Sequence, residues 1–204
     1  MANALYDKGR EAFLLGDIDW VADNIKVVLI DLADYGVAIS DATNASPIVI
    51  TANSHGLSNG DRAMITAVGG NTAANGIWTV ANAAANTFEL SGSTGNGAYT
   101  SGGFVVKIGT HDFLDDVLAA ARVATSANLA SKTATAGVAD AANVTFSAVT
   151  GDPSEALVIY KDSGVEATSP LIAYIDTATG LPVTPNGGDI TVTWDDGANK
   201  IFKL

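Results

Sequence analysis

PIVITANSHGLSNGDRAMITAVGGNTAANGIWTVANAAANTFELSGSTGNGAYTSGG, residues 47–103, alternates short β-branched and aromatic runs with glycine turns, and Arg62 is its one basic residue. The pattern predicts strands near residues 48–52, 62–67, 76–81 and 87–90, with a fifth at 104–108. His55-Gly56, Asn59-Gly60, Gly69-Gly70 and Asn75-Gly76 supply the turns between them. Five short strands in so short a stretch suit a small barrel or sandwich. The flanking sequence is different, because it holds the other basic residues and four of the five prolines. That change of composition predicts an inserted small β-barrel domain at 39–108. The outer domain is then discontinuous, made of residues 1–38 and 109–204.

The outer sequence is also β-rich. Residues 2–15 carry a loose helical stripe (Leu5, Phe13, Leu14), with Gly16 placed to stop it. Gly9 inside the stripe costs about 1 kcal/mol relative to alanine. NIKVVLI at 24–30 reads as a buried strand, and the pattern breaks at 31–35. Residues 112–123 read as a helix that Asp112 could cap, or as a loop with a helical turn. From residue 129 onward apolar and polar positions alternate. Strands are expected at 144–148, 156–160, 171–175 and 190–194, and Asp196-Gly197 turns the chain back into 200–204 as a C-terminal hairpin. The fold class expected is mainly β: an antiparallel β-sandwich core with a short N-terminal helix and the inserted barrel.

Composition limits function. The chain has 204 residues, 48% of them hydrophobic, and a net charge of −12. It is long enough for a real core. Ten scattered basic residues make no stripe for a phosphate backbone, so direct nucleic-acid binding is not expected. With no cysteine, thiolate catalysis and zinc–thiolate sites are excluded. No apolar run approaches the roughly 20 residues of a membrane-spanning helix. The charged N-terminal segment does not read as a signal peptide.

Catalytic constellations are equally scarce. His55 has no acidic or histidine partner at ligand spacing, so it reads as a turn histidine bonded to backbone. His111, beside Asp112, Asp115 and Asp116, reads as part of a capped turn. The aspartates at 17, 19 and 23 and at 31 and 34 do not fit a calcium-loop pattern. No G-x-S-x-G elbow occurs, and Gly92-Ser93-Thr94-Gly95 lacks the lysine of a phosphate loop. Catalytic, metal and cofactor sites are therefore not expected. Trp20, Trp78, Trp194, Tyr160 and Tyr174 read chiefly as core or interface anchors.

Two groups of segments carry a resemblance. LYDKGREAFLLGDIDWVADNIKVVLID (5–31), HDFLDDV (111–117) and SEALVIYKDSGVEATSPLIAYIDTATGLPVTPNGGDITVTWDDGANKIFKL (154–204) resemble a family of small virion structural proteins of tailed bacteriophages. The stretch 55–103 resembles a β-barrel module inserted into many phage structural proteins. That module is likened to the first catalytic-cysteine half-domain of ubiquitin-activating enzymes, and without a cysteine the likeness is one of fold alone. The resemblance implies a part of the particle without enzymatic activity, located at the virion surface. It also implies a capsid decoration or cement protein that binds the major capsid protein or other virion proteins and forms a homo-oligomer, often a trimer in such proteins. Phe13, Trp20 and Phe202 are the expected interface anchors. The alternative is a tail, neck or fibre protein whose insert binds host glycan through Trp78 and Tyr99.

Overall fold

The computed structural model describes residues 3–204. The protein is mainly β, and it divides into two compact units. One is built on Leu32–Thr110, and the other on Leu5–Asp31 with His111–Leu204.

The outer unit begins with β1 (Ala4–Leu5), α1 (Asp7–Leu15) and β2 (Ile25–Ile30). The helix expected from residue 2 thus starts at Asp7, after a short strand; Ala2 lies outside the described residues. Gly16 ends the helix in the left-handed region, φ 77°, where glycine has no Cβ to clash. Gly9 has a second reason to be glycine. A Cβ there would lie 2.5 Å from the Leu171 carbonyl oxygen and 2.8 Å from the Ile172 Cα. The absent side chain lets α1 lie directly on the sheet.

The insert follows, with α2 (Leu32–Tyr35) and seven strands: β3 (Val37–Ala38), β4 (Asp41–Ala42), β5 (Ile48–Thr51), β6 (Arg62–Thr66), β7 (Gly76–Ala81), β8 (Thr87–Leu90) and β9 (Phe104–Val106). They form one antiparallel sheet in the order β3-β9-β6-β7-β8-β5-β4. Its two end strands are halves of a single extended segment. Val37 and Ala38 pair with β9, and the Ile39 amide continues to the Gly103 carbonyl. The Ser40 amide then reaches Thr51, and Asp41 and Ala42 pair with β5. Ile48, Ile50, Ala63, Ile65, Phe88 and Leu90 fill the core at alternate positions. Because β3 pairs with β9, this unit begins before residue 39, at Leu32.

The outer unit resumes with two single helical turns, Leu114–Asp116 and Ala119–Ala121, where a helix or a loop with a helical turn was expected. Asp116 is the capping residue rather than Asp112: its carboxylate accepts the amides of Asp112 and Phe113. Then come β10 (Arg122–Thr125), β11 (Thr133–Thr135), β12 (Val138–Asp140), β13 (Val144–Phe146), β14 (Ala156–Lys161), β15 (Leu171–Ile175), β16 (Ile190–Val192) and β17 (Phe202–Lys203). Five strands make a sheet in the order β1-β15-β14-β2-β10, while β11-β12-β17 and β13-β16 make two small ones. Ile25, Val27, Leu29, Leu157 and Ile159 of the large sheet share one apolar cluster with Val144, Phe146 and Val192 of the small ones and with Trp194 just past β16.

The expected C-terminal hairpin is corrected. β16 pairs with β13 and β17 with β12, so the two do not pair with each other. Trp194 is the reason. It is buried, its backbone amide donates to the Asn143 side chain, and its indole N–H donates to the Ala142 carbonyl. The chain is thereby anchored to the 142–143 corner before it can turn back on itself.

The close approach at Gly9 generates a test. Gly9→Ala gains roughly 1 kcal/mol of helix propensity, but overpacking against fixed backbone costs about 1–3 kcal/mol. The expected result in denaturant unfolding is a net loss of stability. An unchanged or raised midpoint would show that α1 does not sit this close to β15.

Candidate docking cleft

The sequence around α1 makes a cleft in the outer unit. After Gly16 the amides of Asp17 and Ile18 both bond back to the Ala12 carbonyl, which folds the chain under the helix. Ile18 and Trp20 are thereby buried. The Trp20 indole N–H donates to the Asp140 carbonyl at 3.1 Å, which joins this loop to β12. Phe202 of β17 then meets the Trp20 ring edge-on at 5.2 Å, and the Phe13 ring at 6.0 Å. Edge-to-face packing of the Trp20–Phe202 kind is favourable, and the Phe13 ring is tilted against Phe202 at 53°.

The structure therefore brings Phe13, Trp20 and Phe202 together. Their roles differ from one to the next. Trp20 is core and is reachable only as a wall of the cleft, whereas Phe13 and Phe202 are half-buried. One wall of the cleft is α1 and its following loop. The other is the face of the β11-β12-β17 sheet presenting Ala134, Ala139 and Phe202. The volume is about 370 Å³, and Asp19 is its one charged lining residue. Leu204, which lines the cleft, is 57% exposed, and Leu14 and Leu15 at the end of α1 are 88% and 66% exposed. The sequence reading missed Leu14 and Leu15 as surface residues. A paired leucine directly before a helix-stopping glycine was the available signal.

A polar lattice holds the loop that carries Trp20. The Asp19 carboxylate accepts the amides of Val21 and Ala22. Asp23 accepts the Asp19 amide and pairs with Lys161 at 2.9 Å. Lys161 also donates to the Asp17 carbonyl, and Lys132 to the Asp23 carbonyl. Nearby, Lys26 pairs with Asp162 at 2.6 Å. Burial pushes the Asp23 carboxyl up, but the Lys161 and Asp19 hydrogen bonds outweigh it and hold the group below its ordinary value. The Lys26 and Gly164 hydrogen bonds do the same for Asp162. Asp112 moves the other way, raised by burial and then by neighbouring Asp116. Burial pushes the Tyr160 hydroxyl to about 12, so it stays protonated at neutral pH.

The insert residues considered for glycan contact sit otherwise. Trp78 packs half-buried on the insert core and donates its indole N–H to the Ala74 carbonyl at 2.8 Å. Tyr99 packs there too, with its hydroxyl 3.0 Å from the carbonyls of Ile39 and Gly102. His55 is buried against Phe88. Its Nδ1 accepts the Leu57 amide, so Nε2 carries the proton and donates to the Ala84 carbonyl at 2.8 Å. Both nitrogens are thus used inside the turn. Among the described residues, no three His, Asp or Glu side chains are grouped to hold a metal ion.

No protein-family model matches the chain, and no curated protein matches it.

The ion pairs give a pH dependence. Asp23 and Asp162 have depressed values in the folded state, so their stabilisation is present above the unfolded carboxylate value of about 4 and is lost as pH falls through the folded values. Asp112, raised on folding, partly offsets this, since it favours the folded state at low pH. Unfolding midpoints measured across the acid range are expected to drop below about pH 4, with a shallower drop in Asp23→Asn and Asp162→Asn. An identical acid limb in both variants would rule these pairs out as its source.

Proposed function

We propose that the protein is a non-enzymatic structural part of a bacteriophage particle, a capsid decoration or cement protein. In this reading the outer unit binds the capsid lattice of the major capsid protein, and the insert is the displayed unit. The observation that carries the proposal is the apolar cleft of Phe13, Trp20 and Phe202, with the exposed Leu204 in its lining, on a chain of net charge −12. Apolar surface gathered in one place on an otherwise acidic chain suits protein–protein contact. The strong negative charge keeps free copies apart and disfavours DNA. The continuous bonding of residues 37–42 to both β9 and β5 supports a closed barrel for the insert. Closure removes the sheet edges that would otherwise invite pairing with other chains. The tail or fibre reading with glycan at Trp78 and Tyr99 has less support, because their polar ends are already bonded to insert backbone.

Cryo-electron microscopy of the particle carrying this chain tests the proposal. The expected result is density in a regular array over the capsid shell. Particles whose protein lacks residues 32–110, bridged by a short Gly-Ser linker, should retain that array with a smaller knob and attach to cells normally. Density restricted to the tail, together with lost attachment on excision, would replace the decoration role with the adsorption role.

A further inference from the structure

Asparagine is followed by glycine at four places in the chain, Asn59, Asn75, Asn96 and Asn186. Asparagine is a thermolabile residue, most of all before glycine, which has no side chain to shield the next backbone nitrogen. The fold treats the four differently. The Asn59 Oδ1 accepts the amide of Ala83. Asn75 is held at both ends of its carboxamide, by the amide and the carbonyl of Val68. Asn96 is held by the Ala73 amide and the Thr72 hydroxyl. Asn186 has no such distant tie. Its Oδ1 accepts the Gly188 amide at 2.9 Å, an Asx turn closed within its own loop, and its Nδ2 has no partner among the described residues. Residues 186–189 are all exposed, and a Cβ on Gly187 would meet nothing within 4 Å. One restraint acts on the nucleophile: the Gly187 amide donates to the Val149 carbonyl at 2.8 Å. A backbone bond in an exposed loop, with no side chain packed over it, is of the kind that opens by local fluctuation.

We infer that Asn186 is the chain's site of spontaneous deamidation, and that the other three Asn-Gly pairs are guarded by the fold. When the Gly187 amide leaves Val149, its nitrogen gives up its proton and attacks the Asn186 Cγ. The Cγ–Nδ2 bond breaks, ammonia departs with that proton, and a succinimide ring remains. Water then opens either of the ring's two C–N bonds, giving aspartate or an isoaspartate whose main chain runs through Cβ. Both products add a negative charge. Isoaspartate also lengthens the backbone by one methylene group, directly before a ladder in which Gly187 donates to Val149 and Val149 donates to the Gly188 carbonyl at 3.0 Å. Val149 is buried in the core of the outer unit. The modification therefore loosens the loop before β16 where it is pinned to the segment after β13.

Peptide mass mapping of the full chain, aged in its folded state at mildly alkaline pH, tests the assignment. A second sample is aged in urea, where all four Asn-Gly pairs are expected to convert at similar rates. In the folded sample the Asn186 peptide should convert at least about fivefold faster than those of Asn59, Asn75 and Asn96, roughly fivefold being the slowing from one hydrogen bond that must open first. Asn186→Gln should remove the fast folded-state product. Hydrogen exchange on the aged chain should show the Val149 amide losing protection as the isoaspartate form accumulates. Conversion led by another asparagine, equal rates at all four in the folded chain, or an Asn186 that converts in urea but not when folded overturns the inference. The reaction belongs to the isolated chain, so its outcome leaves the particle reading untouched.

Discussion

The pairing of β2 with β14 is the constraint on which the outer unit depends. It runs unbroken from Ile30↔Ala156 to Ile25↔Lys161, and Val27, Val28, Leu29, Leu157, Val158 and Ile159 in it have no exposed surface. On one side β14 carries β15, on which α1 lies through Gly9. On the other side β2 carries β10. The Asp31 amide bonds to the Ala121 carbonyl at 3.0 Å, which extends the β2–β10 contact past the strands themselves. The insert thus leaves from the end of β2, and the chain comes back to be the neighbour of that same strand. Its length matters little to the frame. Loop closure entropy grows only with the logarithm of length, and the loop here is itself folded around a core of its own.

What could be read from sequence follows the physical range of each signal. Alternation is local, so 48–52, 62–67, 76–81, 87–90 and 104–108 each fall on an observed strand, as do 24–30, 156–160 and 171–175. Strands β3 and β4 were missed because each is two residues long and too short to show a period. Pairing is not local. Asp196-Gly197 looks like a hairpin turn in isolation, and only the side chain of Asn143, far away in sequence, explains why the chain does not close there. The same limit applies to the cleft. Phe13, Trp20 and Phe202 could be named as aromatic anchors, but their meeting depends on β17 lying beside β12. That Trp20 is a wall followed from the αL turn at Gly16, after which the chain folds under the helix and buries Ile18 and Trp20.

Charge is arranged on a similar principle. Lys26 and Lys161, both on the central strands, are committed to Asp162 and Asp23. Partly buried pairs of this kind position more than they stabilise. Here Lys161, through Asp23 and the Asp17 carbonyl, fixes the loop of residues 17–23, so that the cleft wall is set before anything enters it. A preset wall lowers the ordering entropy that association must overcome.

The place of the insert within the β2–β10 connection also sets an order of events during synthesis. Domains fold as units, and N-terminal ones fold first as the chain emerges. Leu32–Thr110 is complete in sequence well before β14 leaves the ribosome, whereas β2 cannot find its main partner until then. The nascent chain therefore passes through a stage with a finished insert and a bare apolar strand, IKVVLI, attached to its root. In that interval the already folded insert, with its own apolar residues buried, is the compact body tethered to an exposed strand, so that the module acts as a solubility tag for the frame it interrupts.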